Sequence, residues 1–181
     1  RASDHSAVHR FCSDVPTVTF DANIDGAGEA FVGSDNDQSI DLMVKYLCDT
    51  GDPPVFFEMK TPSNPNALKR RTAYTAAMER LGPTAQLIQV AGEGWDFEDI
   101  GFREGQRLLA RRELPGKTVL CSNDRLAIGL LSAAFEMKLS VGLGATDLRI
   151  AGHDDHPFAQ FTCPKLTTIS QDYVAIAETS A

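Results

Sequence analysis

The sequence predicts an α/β fold, three layers deep, with a parallel sheet between two layers of helices. Two features point there. Short β-branched and aliphatic runs alternate with longer stretches whose apolar positions recur at helical spacing, the pattern of repeated βαβ units. The residues just after each short run are mostly polar, as they are at the carboxyl ends of strands around a ligand site.

The first predicted strand covers residues 15–20 and stops at Asp21. A loop rich in Gly, Asn and Asp occupies 22–29, and 30–32 is a very short apolar run. Asp35 or Asn36 can cap a helix with Ile40, Met43, Val44 and Leu47 at helical spacing. Gly51 is expected to stop that helix at positive φ. Residues 54–59 read as a buried strand, 61–66 as a polar loop, and 67–81 as a helix closing at Gly82. Strand 85–90 precedes a helix over 96–112 with Phe102, Leu108 and Leu109 inward. Strand 118–121 breaks at Ser122-Asn123-Asp124, and a helix over 126–138 follows. Residues 148–152 and 166–169 read as two more strands, and 172–181 as a helical tail. The polar rim is then Asp21, 61–66, 91–96, Ser122-Asn123-Asp124 and His153-Asp154-Asp155.

Length and charge bound the function. A chain of 181 residues matches one ordinary domain and buries a core without staples. With 25 acidic and 17 basic side chains, a formal charge of −8, it does not by itself grip nucleic acid, which needs clustered Lys and Arg. No apolar run approaches the ~18 residues of a membrane span, so no membrane partner is expected. Cys12, Cys48, Cys121 and Cys163 lack C-x-x-C or zinc spacing, which fits reduced thiols in a cytoplasmic protein. The pairs His153/His156 and His5/His9 find no third ligand, so no metal is expected. No nucleophile stands with a base and no phosphate- or dinucleotide-binding glycine loop occurs, so neither an enzyme nor a cofactor is expected.

Three strand ends carry motifs that belong together. Asn123-Asp124-Arg125-Leu126-Ala127-Ile128-Gly129 fits N-D-x-x-A-x-G, Gly152-His153-Asp154-Asp155 fits a G-[FY]-D-D turn, and Pro164-Lys165-Leu166-Thr167-Thr168-Ile169-Ser170-Gln171 fits P-x-L-T-T-[IV]-x-Q. In this order they resemble the LacI/GalR family of bacterial transcription regulators, over essentially residues 15–181. Val32-Gly33-Ser34-Asp35-Asn36 and Arg70-Arg71-Thr72-Ala73-Tyr74 fit as well. The chain departs from the family at Ala73, usually Gly, and at His153, usually Phe or Tyr. The resemblance implies Rossmann-like subdomains of the type I periplasmic-binding-protein fold. Residues 33–169 would form the C-terminal subdomain, and 1–32 with 170–181 part of the N-terminal one. It further implies that the DNA-binding helix-turn-helix lies outside this chain.

The same resemblance implies a ligand cleft between subdomains. Asp21 and Asp154 would accept from sugar hydroxyls, and Asn123 and Gln171 would both donate and accept. Arg70 offers a planar fork of donors to neighbouring hydroxyls or a carboxylate. Tyr173 would lie against a sugar face, and Trp95 and Asp96 compete for one aligned position. Asp124 is expected to cap its helix while Asn123 binds, and Asp155 to shape its turn. The implied function is sensing of a small effector, a sugar or sugar derivative, that changes the operator affinity of a full-length homodimer. The alternative is a sugar-binding receptor of a transporter.

Overall fold

Alternation along buried strands decides which side chains meet. The computed structural model describes residues 5–21 and 27–181. The chain opens with α1 (His5–Asp14), which the sequence pattern did not single out; its Phe11 is exposed and only Val8, His9 and Cys12 are half-buried. Strands β1 (Val18–Phe20) and β2 (Ala30–Val32) then pair in parallel as a separate two-stranded sheet.

The main sheet contains β3 (Val55–Met59), β4 (Leu87–Val90), β5 (Thr118–Cys121) and β6 (Arg149–Ala151), all parallel in the order β4-β3-β5-β6. Between strands run α2 (Asn36–Thr50), α3 (Pro65–Leu81), α4 (Phe97–Arg111) and α5 (Asp124–Glu136), and α6 (Tyr173–Ser180) follows β6. Val55, Phe57 and Met59 of β3, with Val119 and Cys121 of β5, pack against Ile100 and Leu108 of α4 and Leu126 and Leu130 of α5. The intervening Phe56 and Leu120 pack against Ile40 and Val44 of α2 and Tyr74 and Met78 of α3. Each such fully buried side chain stabilises by roughly 1.5–3 kcal/mol, so the two cores fix the sheet and thereby its strand ends.

Four expectations need correction. Gly51 has φ 174, which is extended backbone, not a left-handed turn. Glycine suits the position because a Cβ there would strike the Arg149 guanidinium. Helix α4 buries Phe97, Ile100, Gly101, Gly105 and Leu108, and half-buried Leu109 packs against the core as expected, whereas Phe102 is half-buried outside it. Residues 166–169 form no strand but a single bridge, Ala151 with Thr167, and a second bridge joins Asp154 to the following Ser170. Their partner turns sharply at Asp154 (φ 119), which interrupts the ladder. The first strand is also shorter than predicted, beginning at Val18.

Candidate functional site

The carboxyl ends of β3, β5 and β6 converge on Arg70. The guanidinium sits on the inner face of α3, a helix that starts where Asn64 accepts from the Ala67 N–H (3.1 Å). Arg70 is 5% exposed, and each of its nitrogens has a protein partner. Nε donates to Asn36 Oδ1 (3.0 Å), Nη1 to the Ser122 carbonyl (2.8 Å) and Nη2 to Asp154 Oδ1 (2.6 Å). A guanidinium carries five N–H donors, so two remain for a ligand. The neighbouring Arg71 turns away and pairs with buried Glu58 (2.5 Å).

Asp154 Oδ1 accepts three bonds: from Arg70, from Gln171 Nε2 (2.6 Å) and from His153 Nδ1 (3.1 Å). Among the described residues its Oδ2 has no partner. Burial pushes the Asp154 carboxyl up, but the His153 bond and the Arg70 charge outweigh it and hold the group below the usual carboxylate range. It is an anion near neutral pH. Tyr173 donates its hydroxyl to the Asp154 carbonyl (3.3 Å), and burial beside the Asp154 and Asp21 charges raises its phenol above the ordinary value.

These groups line one cleft of about 210 Å³. Asp21, Arg70, Trp95, Asn123, Asp154, Gln171 and Tyr173 all face it. Asp96 does not: it takes the N-cap position of α4, where its carbonyl accepts from the Ile100 N–H (3.0 Å). Trp95 instead lies along the cleft, edge-on to Phe97 with ring centroids 5.7 Å apart. The cap of α5 is Asn123, not Asp124 as expected, although Asn123 also faces the cleft. Asn123 caps α5 by accepting from the Leu126 N–H (2.9 Å), which leaves its Nδ2 donor for the cleft. Asp124 is fully buried and ties the next turn down, accepting from the His156 N–H (2.7 Å) and Thr168 Oγ1 (2.6 Å). Gln171 spends its amide donors on Asp154 and the Tyr173 hydroxyl (3.2 Å), so only its Oε1, already accepting from Ser34 (2.6 Å), has capacity left.

Several contributors escaped the sequence reading. Arg125 lines the cleft, forks onto both oxygens of Glu98 (2.6 and 2.7 Å) and holds that carboxyl below its usual range. Asn66 donates to both the carbonyl (2.9 Å) and carboxylate (3.2 Å) of Asp21, fixing the end of β1 beside α3. Asn36, Ser34 and Ser39, all at the start of α2, support Arg70, Gln171 and His153 from behind. The N-D-R-x-A spacing contained Arg125 in plain view; Ser34 and Asn36 lay in a stretch that fits the family but gave no sign of their partners, and Ser39 carried no motif.

Comparison with known proteins agrees with this geometry. Residues 46–181 match the periplasmic binding protein-like domain family. Over 162 residues the chain is 33% identical to the ribose operon repressor of Escherichia coli (strain K12), covering 87% of this chain and 46% of that protein. It is 32% identical over 139 residues to the HTH-type transcriptional repressor PurR of Haemophilus influenzae (strain PittEE), covering 75% of this chain and 40% of that one. A Lac repressor bound to ONPG in the repressed state superimposes with TM-score 0.80 at 25% identity, over 98% of this chain and 52% of the other. The chain thus spans just under half the length of the curated relatives it matches. It belongs to the periplasmic binding protein-like domain family, in the LacI/GalR branch.

Proposed function

We propose that the cleft binds a small neutral sugar and that its occupancy sets the operator affinity of a dimeric, cytoplasmic, LacI-type regulator. The carrying observation is the pairing of every charge but one at the cleft. Arg70 is neutralised by Asp154 and Arg125 by Glu98, which leaves Asp21. Such a site offers hydrogen bonds to hydroxyls and no free cation to an anionic ligand. Its volume is below the roughly 300 Å³ at which drug-sized pockets begin, which suits a single ring. The relative named as a ribose operon repressor makes D-ribose the first ligand to try.

On this reading residues 33–169 form one subdomain, and 1–32 with 170–181 contribute to another. The separate β1–β2 sheet, with α6 against it, supports that division. The effector acts only by binding two subdomain orientations unequally. On this reading the sugar is bound and not turned over, which the named relatives, both repressors, support. Those relatives also give the transport-receptor alternative no support. The test is a thermal-shift and calorimetric screen of neutral monosaccharides, D-ribose first, against uronic acids. A neutral sugar at about a hundred times its Kd should stabilise the fold by about 2.7 kcal/mol. Stabilisation by uronic acids alone, or by no sugar, overturns the proposal.

A further inference from the structure

His153 is completely buried, yet it is not part of either apolar core. One ring nitrogen, Nδ1, lies 3.1 Å from Asp154 Oδ1, and the other, Nε2, lies 2.8 Å from Ser39 Oγ. The imidazole therefore bridges the cleft carboxylate to the first turn of α2. Only one neutral tautomer satisfies both contacts. If Nε2 carried the proton, the Nδ1 lone pair would face a carboxylate oxygen. With the proton on Nδ1, the ring donates to Asp154 and accepts from Ser39. Burial, together with the adjacent Arg70 charge, opposes a second proton on the ring, while the Asp154 carboxylate favours it; the net effect lowers its basicity.

Among the described residues all bonds to the Asp154 carboxylate fall on Oδ1, and its side chain is 26% exposed. Holding Oδ1 against the protein leaves Oδ2 as the acceptor presented to the cleft. Arg70 pulls from α3 and Gln171 from the segment just before α6, and His153 supplies the third anchor. Asp154 needs such anchoring because its backbone sits at φ 119, a conformation an L-residue adopts only when its surroundings impose it. We propose that neutral His153, protonated on Nδ1, is a positioning residue of this site: it fixes which oxygen of Asp154 meets the ligand and couples that carboxylate to Ser39. This rests on the effector reading only for the nature of what Asp154 binds.

Three variants of the full chain separate this role from mere filling of the core. In His153→Asn the amide nitrogen superimposes on Nδ1 and keeps the bond to Asp154. In His153→Gln the amide overlays Nε2 and keeps only Ser39. In His153→Phe both are lost, yet Ser39 still has the Asn36 carbonyl (3.2 Å) as an acceptor, so no buried hydroxyl is stranded. Ligand-free ¹⁵N spectra of the wild type should show a neutral ring with its proton on Nδ1 below pH ~6.5, the ordinary histidine value. Carboxyl ¹³C titration should place Asp154 higher in the Gln and Phe variants and unchanged in Asn. With D-ribose as probe, Gln and Phe should raise Kd at least about tenfold and Asn less than about threefold, as expected for a hydrogen bond to a charged group. A proton on Nε2, an unmoved Asp154 titration in Phe, or equal losses in Asn and Gln overturns the proposal. Failure of the wild type to bind any neutral sugar overturns the effector reading instead, and the two ligand-free spectra still decide the role of His153.

Discussion

Asp154 and Asp124, thirty residues apart at neighbouring strand ends, have opposite linkages to pH. The folded-state pKa of Asp154 is depressed, so its contribution is present above the unfolded value and lost as pH falls through the folded one. That of Asp124 is raised by burial, against the bonds from Thr168 and His156, so its contribution is present in acid and lost as pH rises through the folded value. Asp154→Asn leaves the Arg70 guanidinium buried without its counter-charge, and should cost about 3 kcal/mol near neutral pH by urea unfolding. The gap from wild type should begin to close as pH falls below about 4, the ordinary aspartate value, and close fully only below the depressed folded pKa, where the wild-type carboxyl also loses its charge; a constant gap would mean the ion pair is not the cause. The residue types of this site were legible, because strand ends need polar groups and a sugar needs amides and carboxylates. Their division of labour was not. Asn123 and Asp124 are both able to cap, and what separates them is Asp124's bonds to His156 and Thr168, 32 and 44 residues away.

At the scale of elements, caps and periodicity were legible where large apolar residues drive packing. Helix α2 buries all four positions its spacing predicts, and Asp35 caps it by accepting from the Gln38 N–H (2.9 Å). Asp35→Ala should cost about 1 kcal/mol in thermal or urea unfolding. Helix α4 was misjudged for a physical reason: two of its five buried residues are glycine. Gly101 and Gly105 carry no hydrophobic signal, so the pattern pointed to Phe102 instead. These glycines let α4 and α5 approach until a Cβ on Gly129 would strike the Glu98 carbonyl. Gly129→Ala should therefore destabilise by about 1–3 kcal/mol, despite alanine's better helix propensity. It should also displace Glu98, the partner of Arg125 at the cleft, and so weaken D-ribose binding more than Asp35→Ala does. A neutral or stabilising Gly129→Ala would show that the two helices can part at no cost.

For the whole molecule, the parallel α/β architecture followed from the alternation of runs, but the cleft did not. It depends on where β1 and α6 sit relative to the main sheet, a relation set by contacts such as Asn66 to Asp21 that no local pattern encodes. Net charge is a property of this scale as well. Counterion release from phosphates drives nonspecific DNA binding and typically gives Kd values of about 10⁻⁴–10⁻⁶ M. It requires cations free to face a phosphate backbone. At −8, with Arg70, Arg71, Arg80, Arg103, Arg107 and Arg125 all engaged by carboxylates, the cations that remain are outnumbered by acidic side chains. Low ionic strength should make matters worse, since the Debye length lengthens to about 30 Å at 0.01 M and exposes the DNA to the full net repulsion. The 181-residue chain should therefore give no change in fluorescence anisotropy with duplex DNA of any sequence up to about 10 μM, a concentration within the nonspecific range. Adding D-ribose should not alter that result if, as proposed, the effector acts on operator affinity through a DNA-reading part outside these residues. Binding that appears at low salt and fades as salt rises would reveal a basic face in this chain and remove the need for a separate headpiece.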